Sequence, residues 1–219
     1  MSLRLAIFDC DGTLIDSQHS IVAAMARAFD AVALPCPSRR DCLSIVGLSL
    51  PQAMARLLPE AEPGLHAEVA EHYKRAFHDL RLAGQVREPL YDGIAALLDA
   101  LDADGWLLAV ATGKSDRGLR LALKELGLYG RFVSLQTADR HPSKPHPSMI
   151  EAALAQAGVA RADAVMIGDT SFDMAMACAA GVCALGVGWG YHRPDALIAA
   201  GAHSVAMDSA ELARHIGLP

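Results

Sequence analysis

From Gly93 onward, short apolar runs alternate with segments whose apolar residues recur at helical spacing. This alternation predicts a parallel sheet with helices on both faces, because each crossover between parallel strands needs a helix. Such crossovers are right-handed, so we expect an α/β fold with a doubly wound, Rossmann-like sheet. The predicted strands cover residues 3–8, 106–111, 132–135, 164–167, 182–187 and 203–207.

The segment between the first strand and about Gly84 has a different pattern, since it contains no strand-like run. Apolar residues recur at helical spacing after Ser17, which we expect to cap the first helix. Proline and glycine residues divide the remainder into further helical pieces. We therefore predict a small helical cap domain at residues 14–85, inserted after the first strand of a Rossmann-like core formed by residues 1–13 and 86–219.

The overall composition restricts the partners. A formal net charge of -6 disfavours a nucleic-acid partner, which needs a basic face. Residues 174–191 are uncharged, but their glycines favour a buried helix, a turn and a buried strand over a membrane span. The five cysteines include no CxxC pair, so we expect reduced thiols in a cytoplasmic protein, with Cys178 and Cys183 buried. A monomer and a homodimer are both compatible with the sequence.

Pairs of aspartates follow two of the predicted strands. Asp9 and Asp11 can point to the same side of an extended chain, and Gly12 permits a sharp turn there. Asp169 and Asp173 are four residues apart at a predicted helix start, so we expect them on one helical face. Taken alone, the second pair could equally be a helix cap. Together, four carboxylates at one edge of a sheet would repel unless a cation lay among them, and oxygen ligands suit Mg²⁺.

Three further residues are candidates for binding an anion. Thr112 and Gly113 end a predicted strand at a helix start, where a hydroxyl and free backbone N–H groups can bind an anion. Lys144 lies between Pro142 and Pro145, which hold the backbone stiff around one cation. Taken singly, a plain strand-to-helix turn and a solvated loop lysine remain open as alternatives.

Four segments occur along the chain in this order: FDCDGTLIDS, VATGKS, SKPHP and IGDTSFDM. In order and spacing they resemble the four motifs of the haloacid dehalogenase-like hydrolases, and most closely those of the phosphoglycolate phosphatase-like branch. The segments LYDGI, GVGWGY and VAMDSAEL are also similar to that branch, so the resemblance covers the whole chain. Ser148 departs from the third motif, which has an aspartate there, and we expect Ser148 to cap its helix instead.

The resemblance implies a phosphatase that acts on a small phosphorylated metabolite with Mg²⁺ as cofactor. Asp9 would be the nucleophile that becomes an aspartyl phosphate, and Asp11 would protonate the leaving oxygen and later activate water. The phosphoryl group would be held by Thr112, the Gly113 amide and Lys144. The metal ligands would be Asp9, the Asp11 carbonyl, Asp169 and Asp173.

Two other functions remain compatible with these motifs. A phosphomutase of the β-phosphoglucomutase type would pass the phosphoryl group to a sugar, and a phosphate- or metal-binding regulator would do no chemistry. The substrate is open among phosphoglycolate, a sugar phosphate, pyrophosphate and a nucleotide. We expect the cap to open and close over Asp9 and to set the specificity. Its candidate substrate contacts are Arg39, Arg40, Arg56, Lys74 and Arg75.

Overall fold

A six-stranded, fully parallel sheet forms the centre of the computed structural model, which describes residues 3–218. The strand order is β3-β2-β1-β4-β5-β6, so the first strand lies inside the sheet between β2 and β4. This topology confirms the predicted doubly wound α/β fold. The strands are β1 (Arg4–Phe8), β2 (Trp106–Thr112), β3 (Ser134–Thr137), β4 (Ala164–Gly168), β5 (Cys183–Val187) and β6 (Ser204–Ala206).

Helices cover both faces of the sheet, which is why its central strands are apolar on both sides. Ala6 and Phe8 of β1 pack into one hydrophobic cluster, and Leu5 and Ile7 pack into another on the opposite face. The helices that follow the inserted segment are α5 (Ile94–Ala103), α6 (Asp116–Glu125), α7 (Ser148–Ala157), α8 (Ser171–Ala180), α9 (Pro194–Ala199) and α10 (Ser209–Ile216).

The inserted segment is helical, and its helices lie inside the range predicted for the cap. They are α1 (Gln18–Ala31), α2 (Arg39–Ser44), α3 (Leu50–Leu57) and α4 (Pro63–Leu82). They share their own hydrophobic cluster, which includes Met25 and Met54. Leu14 and Ile15 instead pack with the sheet, and Ile15 forms a β-bridge with Leu90. The division into a core and a cap at residues 14–85 stays a prediction.

Several local predictions need correction. Strand β3 begins at Ser134 rather than at residue 132, because Phe132 fills the core before the strand starts. Helix α9 was not predicted, since its six residues are too few to show a helical period. The five cysteines are free thiols, but Cys178 and Cys183 are exposed, not buried. Ser148 is the first residue of α7, and its hydroxyl contacts His141 (2.7 Å) instead of capping the helix.

None of the helices in the described part of the chain has both the length and the apolar character that a membrane span needs.

Candidate active site

The carboxyl ends of three adjacent strands bring the predicted residues together. Asp9 directly follows β1, Thr112 ends β2, and Asp169 directly follows β4. Because β1 pairs in parallel with both β2 and β4, these ends lie side by side at one edge of the sheet. All three side chains are buried. The sheet topology therefore gathers residues that are far apart in the sequence.

Lys144 lies at the centre of this group, between two carboxylates. Its ammonium nitrogen is 2.9 Å from Asp9 Oδ1 and 2.6 Å from Asp173 Oδ1. The side chain is 0% exposed, so the interpretation as a solvated loop lysine is wrong. Burial alone would lower the pKa of Lys144, but Asp173 and Asp9 more than offset it and raise that pKa. Lys144 is therefore a fixed positive charge beside Asp9.

The carboxylate of Asp9 is buried and incompletely satisfied. Neither of its oxygens has a hydrogen-bond donor among residues 3–218, because Lys144 lies close to Oδ1 without hydrogen-bond geometry. Burial raises the pKa of Asp9 to about 7, while the charge of Lys144 opposes this shift. Buried polar atoms are normally paired, so these oxygens are available to a group that the protein itself does not provide.

Three of the predicted metal ligands fit a divalent cation. Carboxylate oxygens of Asp9, Asp169 and Asp173 all lie within 4.8 Å of one another, and the three residues are buried. Burial, followed by repulsion from Asp9 and Asp173, raises the pKa of Asp169 well above its usual range. A cation among these oxygens would relieve that repulsion, and it would bind the Asp9 carboxylate oxygens, which accept no hydrogen bond within residues 3–218. The all-oxygen donor set suits Mg²⁺.

Asp169 is held in place by groups from two different loops. Thr13 Oγ1 donates a hydrogen bond to Oδ1 (2.8 Å), and the Tyr191 backbone N–H donates to Oδ2 (2.9 Å). Gly12 has a φ of 92°, and a Cβ there would lie 2.2 Å from Asp169 Oδ2. A Cβ on Gly190 would lie 2.2 Å from Asp169 Cβ. Both glycines are therefore required for the close approach of their loops to this carboxylate.

Asp173 lies in the first turn of helix α8 and connects the helix to Lys144. Its Oδ2 accepts from the backbone N–H and the hydroxyl of Thr170, which is the N-cap residue of the helix. Its Oδ1 accepts from Lys144. Asp169 lies before the helix, so the prediction that Asp169 and Asp173 share a helical face is wrong. The alternative that Asp169 caps the helix is wrong as well, because the N-cap residue is Thr170. The two carboxylates meet because the turn after β4 folds back onto the helix start.

Asp11 has a separate set of partners. Its Oδ1 accepts from Ser17 Oγ (2.6 Å) and from Lys114 Nζ (2.8 Å). Ser17 is the N-cap residue of α1, as predicted, but its hydroxyl donates to Asp11 and makes no capping hydrogen bond to the helix. Lys114 Nζ also donates to Glu88 Oε1 (2.8 Å), and Glu88 pairs with Arg81. Sequence reasoning missed Lys114 and Glu88, although the position of Lys114 directly after Thr112 and Gly113 was a usable signal.

A cavity of about 470 Å³ lies between the inserted helices and the core, and its lining includes Asp9, Asp11, Thr112 and Gly113. Among the basic cap residues that were predicted to contact substrate, Lys74 is the one found in the lining. Helices α1, α3 and α4 all contribute side chains to the wall. The site residues thus open into a chamber that the inserted helices cover.

Gly113 is where the inserted segment comes closest to the predicted phosphate-binding turn. A Cβ on Gly113 would lie 2.5 Å from the Gly47 carbonyl oxygen and 2.6 Å from that of Leu48. These atoms belong to the backbone and cannot move aside as a flexible side chain could. A glycine is therefore required at this position while the inserted segment keeps its place.

Several known proteins are similar to this chain in sequence or in fold. The chain is 36% identical over 200 residues to Probable phosphatase IndB of Dickeya dadantii, covering 90% of this chain and 86% of that protein. It is 33% identical to a phosphoglycolate phosphatase of Xylella fastidiosa, covering 88% and 83% of the two chains. The crystal structure of a hydrolase from Pseudomonas syringae superposes with a TM-score of 0.85 at 26% identity, covering 97% of each chain.

The sequence profile described as Haloacid dehalogenase-like hydrolase matches residues 6–187, which include each predicted site residue. This match covers the end of β1, all of β2 and β4, and the inserted helices. The chain therefore belongs to the haloacid dehalogenase-like hydrolases, in the branch that resembles phosphoglycolate phosphatases.

Proposed function

We propose that this protein is a Mg²⁺-dependent phosphatase that hydrolyses a small phosphorylated metabolite through an aspartyl phosphate on Asp9. The observation that carries the proposal is the buried Asp9 carboxylate, which accepts no hydrogen bond from the described part of the chain and lies 2.9 Å from the Lys144 ammonium. Such a carboxylate is an available nucleophile beside a fixed cation. The phosphatase names of two relatives support the same reaction class.

In the first half of the reaction, a carboxylate oxygen of Asp9 attacks phosphorus and the bond from phosphorus to the leaving oxygen breaks. The carboxyl proton of Asp11 passes to that oxygen. In the second half, the Asp11 carboxylate takes a proton from water, whose oxygen attacks phosphorus. This step releases inorganic phosphate and restores Asp9. Ser17 and Lys114 hold Asp11 in place through both halves.

The transferring phosphoryl group is bound by fixed groups at the same edge of the sheet. We assign this role to the Thr112 hydroxyl, the Gly113 amide and the Lys144 ammonium, which need no reorganisation during the reaction. Mg²⁺, held by Asp9, Asp169 and Asp173 together with the Asp11 carbonyl, would supply further positive charge to the phosphoryl oxygens. Without a bound ligand, the positive charge of Lys144 offsets the electrostatic repulsion between Asp9 and Asp173.

The decisive experiment measures hydrolysis of 4-nitrophenyl phosphate with Mg²⁺ and with excess chelator. We expect Asp9→Asn to reduce kcat by at least about 10⁴-fold, in line with the loss of other nucleophiles. The matched control is Asp30→Asn, at an exposed position of α1. Full turnover in chelator, or in Asp9→Asn, would refute the mechanism. Formation of a phosphorylated acceptor in place of inorganic phosphate would indicate a phosphomutase.

A further inference from the structure

The chamber above Asp9 is walled mainly by apolar side chains of the inserted helices. Ile21 and Met25 of α1 line it, together with Ile45 and Leu48 from the connection between α2 and α3. These four side chains are buried, with relative exposures of 8% or less. Leu121 of α6 lines the core side. A ligand group in this chamber therefore meets hydrocarbon on several sides.

Three of the four lysine and arginine side chains that line the chamber have acidic partners. Lys114 is paired with Asp11 and Glu88. In the same way, Arg81 is paired with Glu88 and Glu125, and Lys74 is paired with Glu71. Among the described residues, the remaining lining cation is Arg117, which is exposed and contacts His78. A second anionic group on the substrate would displace an existing ion pair or reach out to the exposed Arg117.

Tyr73 of α4 is a half-buried residue in the wall of the chamber. Its hydroxyl makes no hydrogen bond within residues 3–218, and its ring packs against Phe77 with 6.0 Å between the ring centroids. Desolvation raises the pKa of this hydroxyl, so it stays neutral. Tyr73 can therefore provide one neutral hydrogen bond to an otherwise apolar ligand.

The size of the chamber also favours a ligand with a large apolar group. Its volume of about 470 Å³ falls in the range of pockets that enclose drug-sized ligands, roughly 300–1,000 Å³. A two-carbon leaving group such as that of phosphoglycolate would leave most of the apolar wall without contact. Unfilled apolar surface contributes nothing to binding.

Resting on the proposed phosphatase function, we infer that the substrate is a phosphate monoester whose leaving group is uncharged and largely apolar. The phosphate lies against Asp9, Thr112 and Gly113, and the leaving group extends into the chamber among Met25, Ile45 and Leu121. Phosphoglycolate and pyrophosphate carry a second anionic group, so this chamber disfavours both.

A series of linear alkyl phosphates from ethyl to hexyl phosphate tests this inference, since leaving-group chemistry is nearly constant along it. We expect kcat/KM to rise by about fourfold per methylene group, the value for burial of one CH₂. We also expect pentyl and hexyl phosphate to exceed phosphoglycolate and pyrophosphate. A flat series, with phosphoglycolate or pyrophosphate turned over faster than hexyl phosphate, would overturn the inference.

A pair of leucine variants locates the effect in the chamber. Leu121→Asn should flatten the dependence of kcat/KM on chain length, because it replaces part of the apolar wall that the longer chains contact. Leu82→Asn is the matched control, since Leu82 is 75% exposed and lies outside the lining. Equal slopes in Leu121→Asn and the wild type would place the leaving group elsewhere.

Ligand binding by Asp9→Asn in the presence of Mg²⁺ separates this inference from the proposed reaction. Hexyl phosphate should raise the Tm of this variant more than phosphoglycolate does at equal concentration, because a ligand that binds the folded site stabilises it. The opposite order refutes the apolar-substrate inference, whether or not the wild type hydrolyses either compound. Hydrolysis by wild type that equals hydrolysis by Asp9→Asn refutes the phosphatase mechanism alone.

Discussion

A fully buried lysine is unusual in a small protein. The burial of the Lys144 charge is explained by its two acidic partners. Lys144 is paired with Asp9 and Asp173, which are themselves 0% exposed. Removing one member of a buried ion cluster leaves the others uncompensated in a medium of low polarity. Lys144 therefore has a structural role in addition to its proposed contact with the phosphoryl group.

We predict that Lys144→Met reduces kcat on 4-nitrophenyl phosphate by about 10²–10³-fold, since a fixed charge near the phosphoryl oxygens is lost. The same substitution should lower the free energy of unfolding by about 3 kcal/mol, because Asp9 and Asp173 stay buried without their cation. Urea unfolding and steady-state kinetics measure the two effects. Lys124→Met, at an exposed position of α6, is the control. Near-normal values of both quantities would contradict the buried-cluster explanation.

In the proposed mechanism Lys114 acts on the reaction through Asp11, with which it is paired, so substitution of Lys114 should have an effect that depends on the leaving group. An alkoxide needs a proton when it departs, whereas 4-nitrophenolate does not. We predict that Lys114→Met lowers kcat/KM for hexyl phosphate at least about tenfold more than for 4-nitrophenyl phosphate, within the usual contribution of a general acid. Glu125→Gln, which removes an exposed partner of Arg81, is the control. Equal losses on both substrates would show that Lys114 does not position the acid.

At the scale of the elements, two loops hold the carboxylate of Asp169, the proposed metal ligand that follows β4. The loop after β1 contributes Gly12 and Thr13, and the loop after β5 contributes Gly190 and Tyr191. Their backbones approach Asp169 so closely that neither glycine position has room for a side chain. The spacing of the strands in the sheet therefore fixes the position of this carboxylate.

Gly190→Ala tests this arrangement. The new Cβ would lie 2.2 Å from Asp169 Cβ, so the carboxylate has to move. We predict that the Mg²⁺ concentration for half-maximal activity rises by about tenfold or more, the usual effect of losing a group that orients a metal ligand. Mg²⁺ should also raise the Tm of the variant less than that of the wild type. Gly130→Ala, where a Cβ meets nothing within 4 Å, should behave as wild type, and identical Mg²⁺ curves for both variants would refute the argument.

The sequence predicted those parts of the site that depend on strand ends. Asp9 and Asp169 follow apolar runs, and parallel strands bring such positions together. The pairing of Lys114 with Glu88 could not be predicted, since the two residues are 26 positions apart and meet through the packing of a loop. Strand β3 was misplaced because Ser134 and Gln136 are buried in it and satisfy each other by a hydrogen bond. A search for apolar runs does not detect a strand whose buried residues are polar.

At the scale of the whole molecule, the inserted helices and the core meet over the proposed active site. The Ser49 backbone N–H donates to Ser143 Oγ (2.8 Å), one residue before Lys144. On another side, Arg81 of α4 pairs with Glu125 of α6 (2.8 Å). Closure of this kind excludes water and strengthens the charge interactions inside. The structure thus has the contacts that a closed chamber needs, and the opening and closing of the inserted helices stays a prediction.

Gly113→Ala should hold the inserted segment away from the core. The Cβ of the alanine would lie 2.5 Å from the Gly47 carbonyl oxygen. Because this oxygen belongs to the backbone, the clash can be relieved only if the backbone moves. Because the chamber then stays open to water, we predict a loss in kcat/KM of about 10²-fold, the usual effect of a misplacement near 1 Å. Amide hydrogen exchange at residues 45–50 should become faster, since their contact with the core is weakened. Gly64→Ala is the control, because a Cβ there meets nothing within 4 Å. Slower turnover with unchanged exchange would show that the alanine disturbs phosphate binding alone, and the closed-chamber mechanism would then lose its support.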